Sequence, residues 1–148
     1  MPIKLKKIKT PIYATDIYLM VATYEECVKF LDKEYSYKID YTEYYPIGRV
    51  IKVFHTKNNL KTAKYFLWLN HFDYYIFHYS ALVHEVIHLT LMIFEAIDIP
   101  IIYDKENCNE AFCYYADYLF EQFLTEIGKL KKINYESCKE AMEYMEQG

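Results

Sequence analysis

Apolar positions alternate in short runs through the first half of the chain and follow longer helical patterns in the second. Ile12 to Ala22 is rich in Ile, Tyr, Leu and Val and predicts a strand. Thr23-Tyr24-Glu25-Glu26 has the form of a capping box, a hydroxyl cap with an acid three residues on. It predicts a helix from Tyr24 to about Tyr35, with Cys27, Phe30 and Leu31 on its inner face. Tyr37 to Pro46 mixes polar and aromatic residues and predicts no defined element. Gly48 to His55 alternates as a strand does, Lys57-Asn58-Asn59-Leu60 is a turn, and Thr62 to Asn70 is the next strand, so the two form a hairpin.

The second half reads as helix. His71 to Phe77 is a connector. Tyr79 to Ala96 contains no Gly or Pro, offers Ser80 as an N-cap and is apolar nearly all round, which predicts a buried helix to about Ile97. Asp98 to Asn107, with Pro100, predicts a loop. A second long helix is expected from Cys108 or Asn109 to Ile127, ending near Gly128. Asn134 to Glu146 predicts a further, amphipathic helix. The order gives an α+β class: a small antiparallel sheet with one N-terminal helix, then two long helices and a C-terminal helix. At 148 residues this is expected to be one domain, with its sheet part at about 1–75 and its helical part at about 78–148.

Composition narrows the function. The net charge of −4 and the sequence pI near 5.7 predict no nucleic-acid footprint. The basic run Lys4 to Lys9 alternates with apolar residues and reads as a solvated strand face. No uninterrupted apolar run reaches membrane length and no secretory leader is evident, so a cytoplasmic protein without a membrane span is expected. The cysteines Cys27, Cys108, Cys113 and Cys138 are then expected as reduced, buried thiols. The chain holds 18 Tyr and 9 Phe against 3 Gly. Tyr, Ile, Lys and Asn are all encoded by AT-rich codons, which accounts for part of that richness.

The strongest chemical signal is His84-Glu85-Val86-Ile87-His88. Histidines four apart on a helix lie about 40° from one another around its axis. Two such imidazoles suit a tetrahedral zinc, and the intervening Glu can hold and deprotonate a water. Chance supplies roughly 0.02 such matches in a chain of this composition, so coincidence is the weaker explanation. The plainer alternative is two core histidines hydrogen-bonded to backbone or Tyr hydroxyls.

A catalytic zinc usually takes three protein ligands and leaves one position open. Glu110 is the preferred third ligand, at the start of the second long helix behind Asn109 as N-cap. Asp104, Glu106 and Asp117 are the rivals. Asp117 and Glu95 are also candidates to brace the ligands from behind. Tyr114, Tyr115, Tyr118 and His78 are candidates to stabilise an oxyanion. His71 and His78 stand at no ligand spacing and are expected to be hydrogen-bonded or exposed.

His84-Glu85-x-x-His88 followed by Asn109-Glu110 at a second helix resembles the gluzincin metallopeptidases. The short chain resembles their small single-domain forms, the minigluzincins, and the small metallopeptidases encoded by phages and prophages. The resemblance spans roughly Val50 to Leu124. It implies a sheet before the zinc helix whose edge strand binds peptide in extended form, with Lys64 to Asn70 as the candidate edge. Where that family often carries an Asp four residues after the Glu ligand, this chain has Tyr114.

The expected function is zinc-dependent hydrolysis of a peptide or protein substrate, with His84, His88 and Glu110 holding zinc and Glu85 as general base. The alternative is a zinc-binding module of the same fold that binds peptide without turnover. A third reading is a Tyr-rich interaction domain without metal.

Overall fold

A computed structural model of the chain describes residues 3–10, 16–39, 47–100 and 110–130. In chain order the elements are β1 (Lys4–Ile8), β2 (Asp16–Val21), α1 (Tyr24–Tyr35), β3 (Gly48–Lys57), β4 (Leu60–Leu69), α2 (Ile76–Ala96) and α3 (Glu110–Leu130). The α+β class holds, with three helices among the described residues. The helix expected over 134–146 lies outside them, as do Cys108 and Cys138.

The sheet differs from expectation in one respect. Its strand order is β1-β2-β4-β3, and β2 pairs with β4 in parallel, Leu19 facing Leu67. The other two pairings are antiparallel. The sheet is therefore mixed. A parallel neighbour needs a crossover, and here α1 and the β3 hairpin strand intervene between β2 and β4. This places β4 at the centre and β3 at the edge. Lys64 to Asn70 is thus not the edge; the edges are β1 and β3, and β3 is the one that meets α2.

Local chemistry explains the elements that sequence placed well. Thr23 Oγ1 accepts from the Glu26 N–H at 3.3 Å, and Ser36, left-handed at φ 51°, ends α1. Cys27 and Leu31 of α1 are fully buried. Asn58 and Asn59 both have positive φ, 52° and 65°, the pair of left-handed residues that a two-residue hairpin turn of matching twist demands.

Alternation divides the core between the faces of the sheet. Ile17, Leu19, Tyr65, Leu67 and Leu69 pack beneath α2 and α3 with Leu82, Val86, Leu89, Ile93, Leu119 and Phe123. Met20, Phe66, Trp68, Ile51 and Val53 pack beneath α1. Phe94 near the end of α2 meets the rings of Phe112 and Tyr115 near the start of α3 at 5.6 and 5.8 Å. The two long helices therefore run back along one another.

The helices depart from expectation in three places. α2 begins at Ile76, capped by the backbone of Tyr75 with no side-chain bond, so Ser80 is interior and not the N-cap. In place of a cap, His78 Nδ1 reaches back and accepts from the Asp73 N–H at 2.8 Å. α2 is also buried on one side only: Ile76, Val83, Ile87 and Leu91 are exposed, and by length and composition the helix would suffice to cross a membrane. Finally, α3 runs through Gly128 to Leu130. Ile127 is buried on one side of that glycine and Leu130 packs against the core on the other. Tertiary packing there exceeds the ~1 kcal/mol that a helical Gly costs.

Candidate metal and catalytic site

α2 presents His84 and His88 on its exposed side and Glu85 on its inner side. The two Nε2 atoms converge to 3.0 Å, with the rings edge to face. A tetrahedral zinc bonded to two imidazoles at ~2.0–2.1 Å sets their nitrogens about 3.3 Å apart. The pair therefore stands within a few tenths of an ångström of that requirement. The same separation also suits an N–H···N hydrogen bond between tautomers.

Glu85 is 9% exposed. Its Oε2 accepts from the Val50 N–H of β3 at 3.0 Å. Burial pushes its carboxyl above the usual carboxylate range, opposed by His84, His88, the Val50 N–H and Arg49. Desolvation outweighs them because the carboxyl is largely cut off from water.

This approach of strand to helix depends on Gly48. A Cβ there would stand 2.9 Å from Leu69 Cδ2, 3.0 Å from the Trp68 carbonyl oxygen and 3.3 Å from Glu85 Cγ. The bare glycine lets the start of β3 slip beneath Glu85. Beside it opens a cleft of about 280 Å³ lined by Arg49, Val50, Glu85, His88 and Met92. That is at or below the small end of ligand clefts, ~300–1,000 Å³, so it would hold one part of an extended ligand.

The remaining expected site residues are more scattered. Glu110 opens α3 and is exposed, as are Asp117 and Glu95. Tyr114 is 71% exposed. Among the described residues no three His, Cys, Asp or Glu side chains gather in a group able to hold a metal, so Glu110 is not brought together with the histidine pair. Asp104 and Glu106 lie outside the described residues.

Three of the four oxyanion candidates are committed elsewhere. Tyr118 donates its hydroxyl to the Lys9 carbonyl at 2.8 Å, tying α3 to the end of β1. Tyr115 is a core residue. His78 is buried and hydrogen-bonded, as expected, and His71 is exposed and 3.7 Å from Asp73. Cys27 is buried but Cys113 is exposed, which corrects the expectation of a buried thiol at Cys113.

Sequence reasoning missed Arg49, Val50 and Met92 as cleft residues. Gly48 was the available signal: a lone glycine opening a strand often marks a close backbone approach. No protein family matches the chain, nor does any curated protein or solved structure.

Proposed function

We propose that the protein is a zinc-dependent peptidase. The observation that carries this reading is the convergence of His84 and His88 Nε2 to 3.0 Å beside a buried Glu85 carboxylate at the cleft. His84 and His88 would hold the ion, with Glu110 as third ligand on the strength of the gluzincin resemblance. When bound, zinc would polarise the scissile carbonyl and acidify a water.

Glu85 takes a proton from the attacking water and returns it to the leaving amine nitrogen. A carboxyl held above its ordinary range by burial suits both halves of that task, since it must carry the proton between the two steps. Val50 fixes the carboxylate through Oε2 and leaves Oε1 for the proton. The outer edge of β3 would take the substrate backbone by strand addition, since an edge strand offers unpaired N–H and C=O groups.

One observation favours a second reading, a peptide-binding module that holds zinc without turnover. The histidine pair is flanked by exposed apolar Val83, Ile87 and Leu91, a surface suited to a partner rather than to open solvent.

The test is the metal content of untagged protein by elemental mass spectrometry, for wild type and for His84→Ala, His88→Ala and Glu110→Ala. About one zinc per chain, lost in all three variants, is the expected result. Zinc kept by Glu110→Ala alone moves the third ligand to Asp117 or Asp104. No zinc in wild type, even after it is added back, overturns the reading.

A further inference from the structure

The cleft contains the chain's only arginine, Arg49. We propose that Arg49 binds a carboxylate of the peptide substrate and so selects acidic peptides or free C-termini; this deepens the peptidase reading and rests on it.

Several cations of the described residues face a partner, and Lys4, Lys6, Lys9, Lys29, Lys33, Lys38 and Lys57 are exposed to solvent. Lys7 pairs with Asp16 at 2.9 Å and Lys129 with Glu126 at 3.0 Å. Lys52, Lys61 and Lys64 lie over the rings of Phe54, Tyr65, Tyr18 and Tyr35. Arg49 is half-buried and, among the described residues, forms no ion pair.

Neither titratable neighbour makes an ion pair with it among the described residues. The Cys27 thiol is pushed up to about 12 by burial, so it is uncharged at neutral pH. Glu85 turns its Oε2 to the Val50 N–H and, among the described residues, forms no ion pair with Arg49. A partly desolvated guanidinium without an anion in direct contact is costly, and an arriving carboxylate offsets that cost.

Arginine also fits the task by shape. Its planar fork donates two parallel hydrogen bonds to a carboxylate, which a lysine cannot. The lining brings Arg49 into one small cleft with Glu85 and His88. A carboxylate held there would fix the position of a peptide against both. The carboxylate could come from an Asp or Glu side chain or from the C-terminus of the peptide; the chemistry is the same.

Three pools of acetylated nonapeptides, randomised over neutral residues, separate these sources. One pool ends in an amide and has no acid. The second ends in an amide and carries one Glu. The third has no acid but ends in a free carboxylate. Each is passed, with zinc present, over immobilised Glu85→Gln protein, with and without Arg49→Met or Arg49→Lys, and the retained peptides are quantified by mass spectrometry.

One carboxylate pool is expected to be retained at least about tenfold over the neutral pool, the worth of one charged hydrogen-bonded pair. That preference should vanish in Arg49→Met and survive in part in Arg49→Lys. The favoured pool names the source. Equal retention of all three pools, retention of none, or a preference that persists in Arg49→Met in a chain that still unfolds cooperatively, overturns the proposal. The same pools incubated with Glu85-intact protein keep the two ideas apart. Arg49-dependent retention without cleavage leaves carboxylate binding standing and removes the peptidase. Cleavage of all pools at equal rates does the reverse.

Discussion

The Val50 N–H donates to Glu85 Oε2 at 3.0 Å across 35 positions of sequence. This bond joins the edge strand to the helix that carries the histidine pair. It satisfies an outward-facing amide of β3 and sets the orientation of the carboxylate on which the proposed chemistry depends.

Replacing Glu85 with Gln should keep the fold and remove the base. Peptide hydrolysis should fall about 10²–10⁴-fold, the usual worth of a positioned general base, while zinc content stays unchanged. Stability should move the other way with pH. A carboxyl whose folded pKa is raised binds its proton more tightly folded than unfolded. Its contribution is therefore present in acid, below the ordinary carboxylate range, and is lost as pH rises through the raised value. Glu85→Gln should accordingly be more stable than wild type at pH 7 and lose that advantage in acid, as read by urea denaturation. An advantage that grew in acid would contradict the assigned cause.

Gly48→Ala should harm both fold and site. The added methyl would stand 3.0 Å from the Trp68 carbonyl oxygen and 2.9 Å from Leu69 Cδ2. The leucine can turn aside, but the backbone oxygen cannot. Overpacking of this kind costs about 1–3 kcal/mol. Chemical denaturation should show that loss, with reduced hydrolysis because β3 and Glu85 are pushed apart. Wild-type stability and rate in this variant would show that the close approach is not needed.

Zinc should stabilise the chain through its histidines. A ligand at one hundred times its Kd adds about 2.7 kcal/mol to a folded state that alone binds it. Thermal unfolding with and without zinc should show the gain in wild type, its loss on chelation and its absence in His84→Ala. A gain that His84→Ala retains would place the ion elsewhere.

Trp68 links the sheet to the segment that enters α1. Its Nε1 donates to the Ala22 carbonyl at 2.9 Å in the core. Trp68→Phe removes the donor and leaves a buried carbonyl short of a partner, at about 1–3 kcal/mol. Denaturation of this variant should show that loss without a change in zinc content, because the residue packs on the α1 side of the sheet.

How much was legible depended on the range of the interactions. The start of α1 was readable because Thr23 and Glu26 lie three residues apart and carry the whole signal. The β3–β4 hairpin was readable because Asn58-Asn59 encodes its own turn. The start of α2 was misplaced because its end is managed by His78 reaching back to Asp73, a contact that resembles no standard cap. Alternation marked β4 as a strand but could not say which strands would flank it.

The sequence by itself determined that His84 and His88 share a helical face with Glu85 between them, because helix geometry converts a spacing of four into adjacency. Only the tertiary structure decided which strand meets that helix. The pairing of β2 with β4 buried the expected edge and brought β3, with Gly48, Arg49 and Val50, against Glu85. Strand order is set by how the two faces of the sheet are buried together, and no local run of residues encodes it.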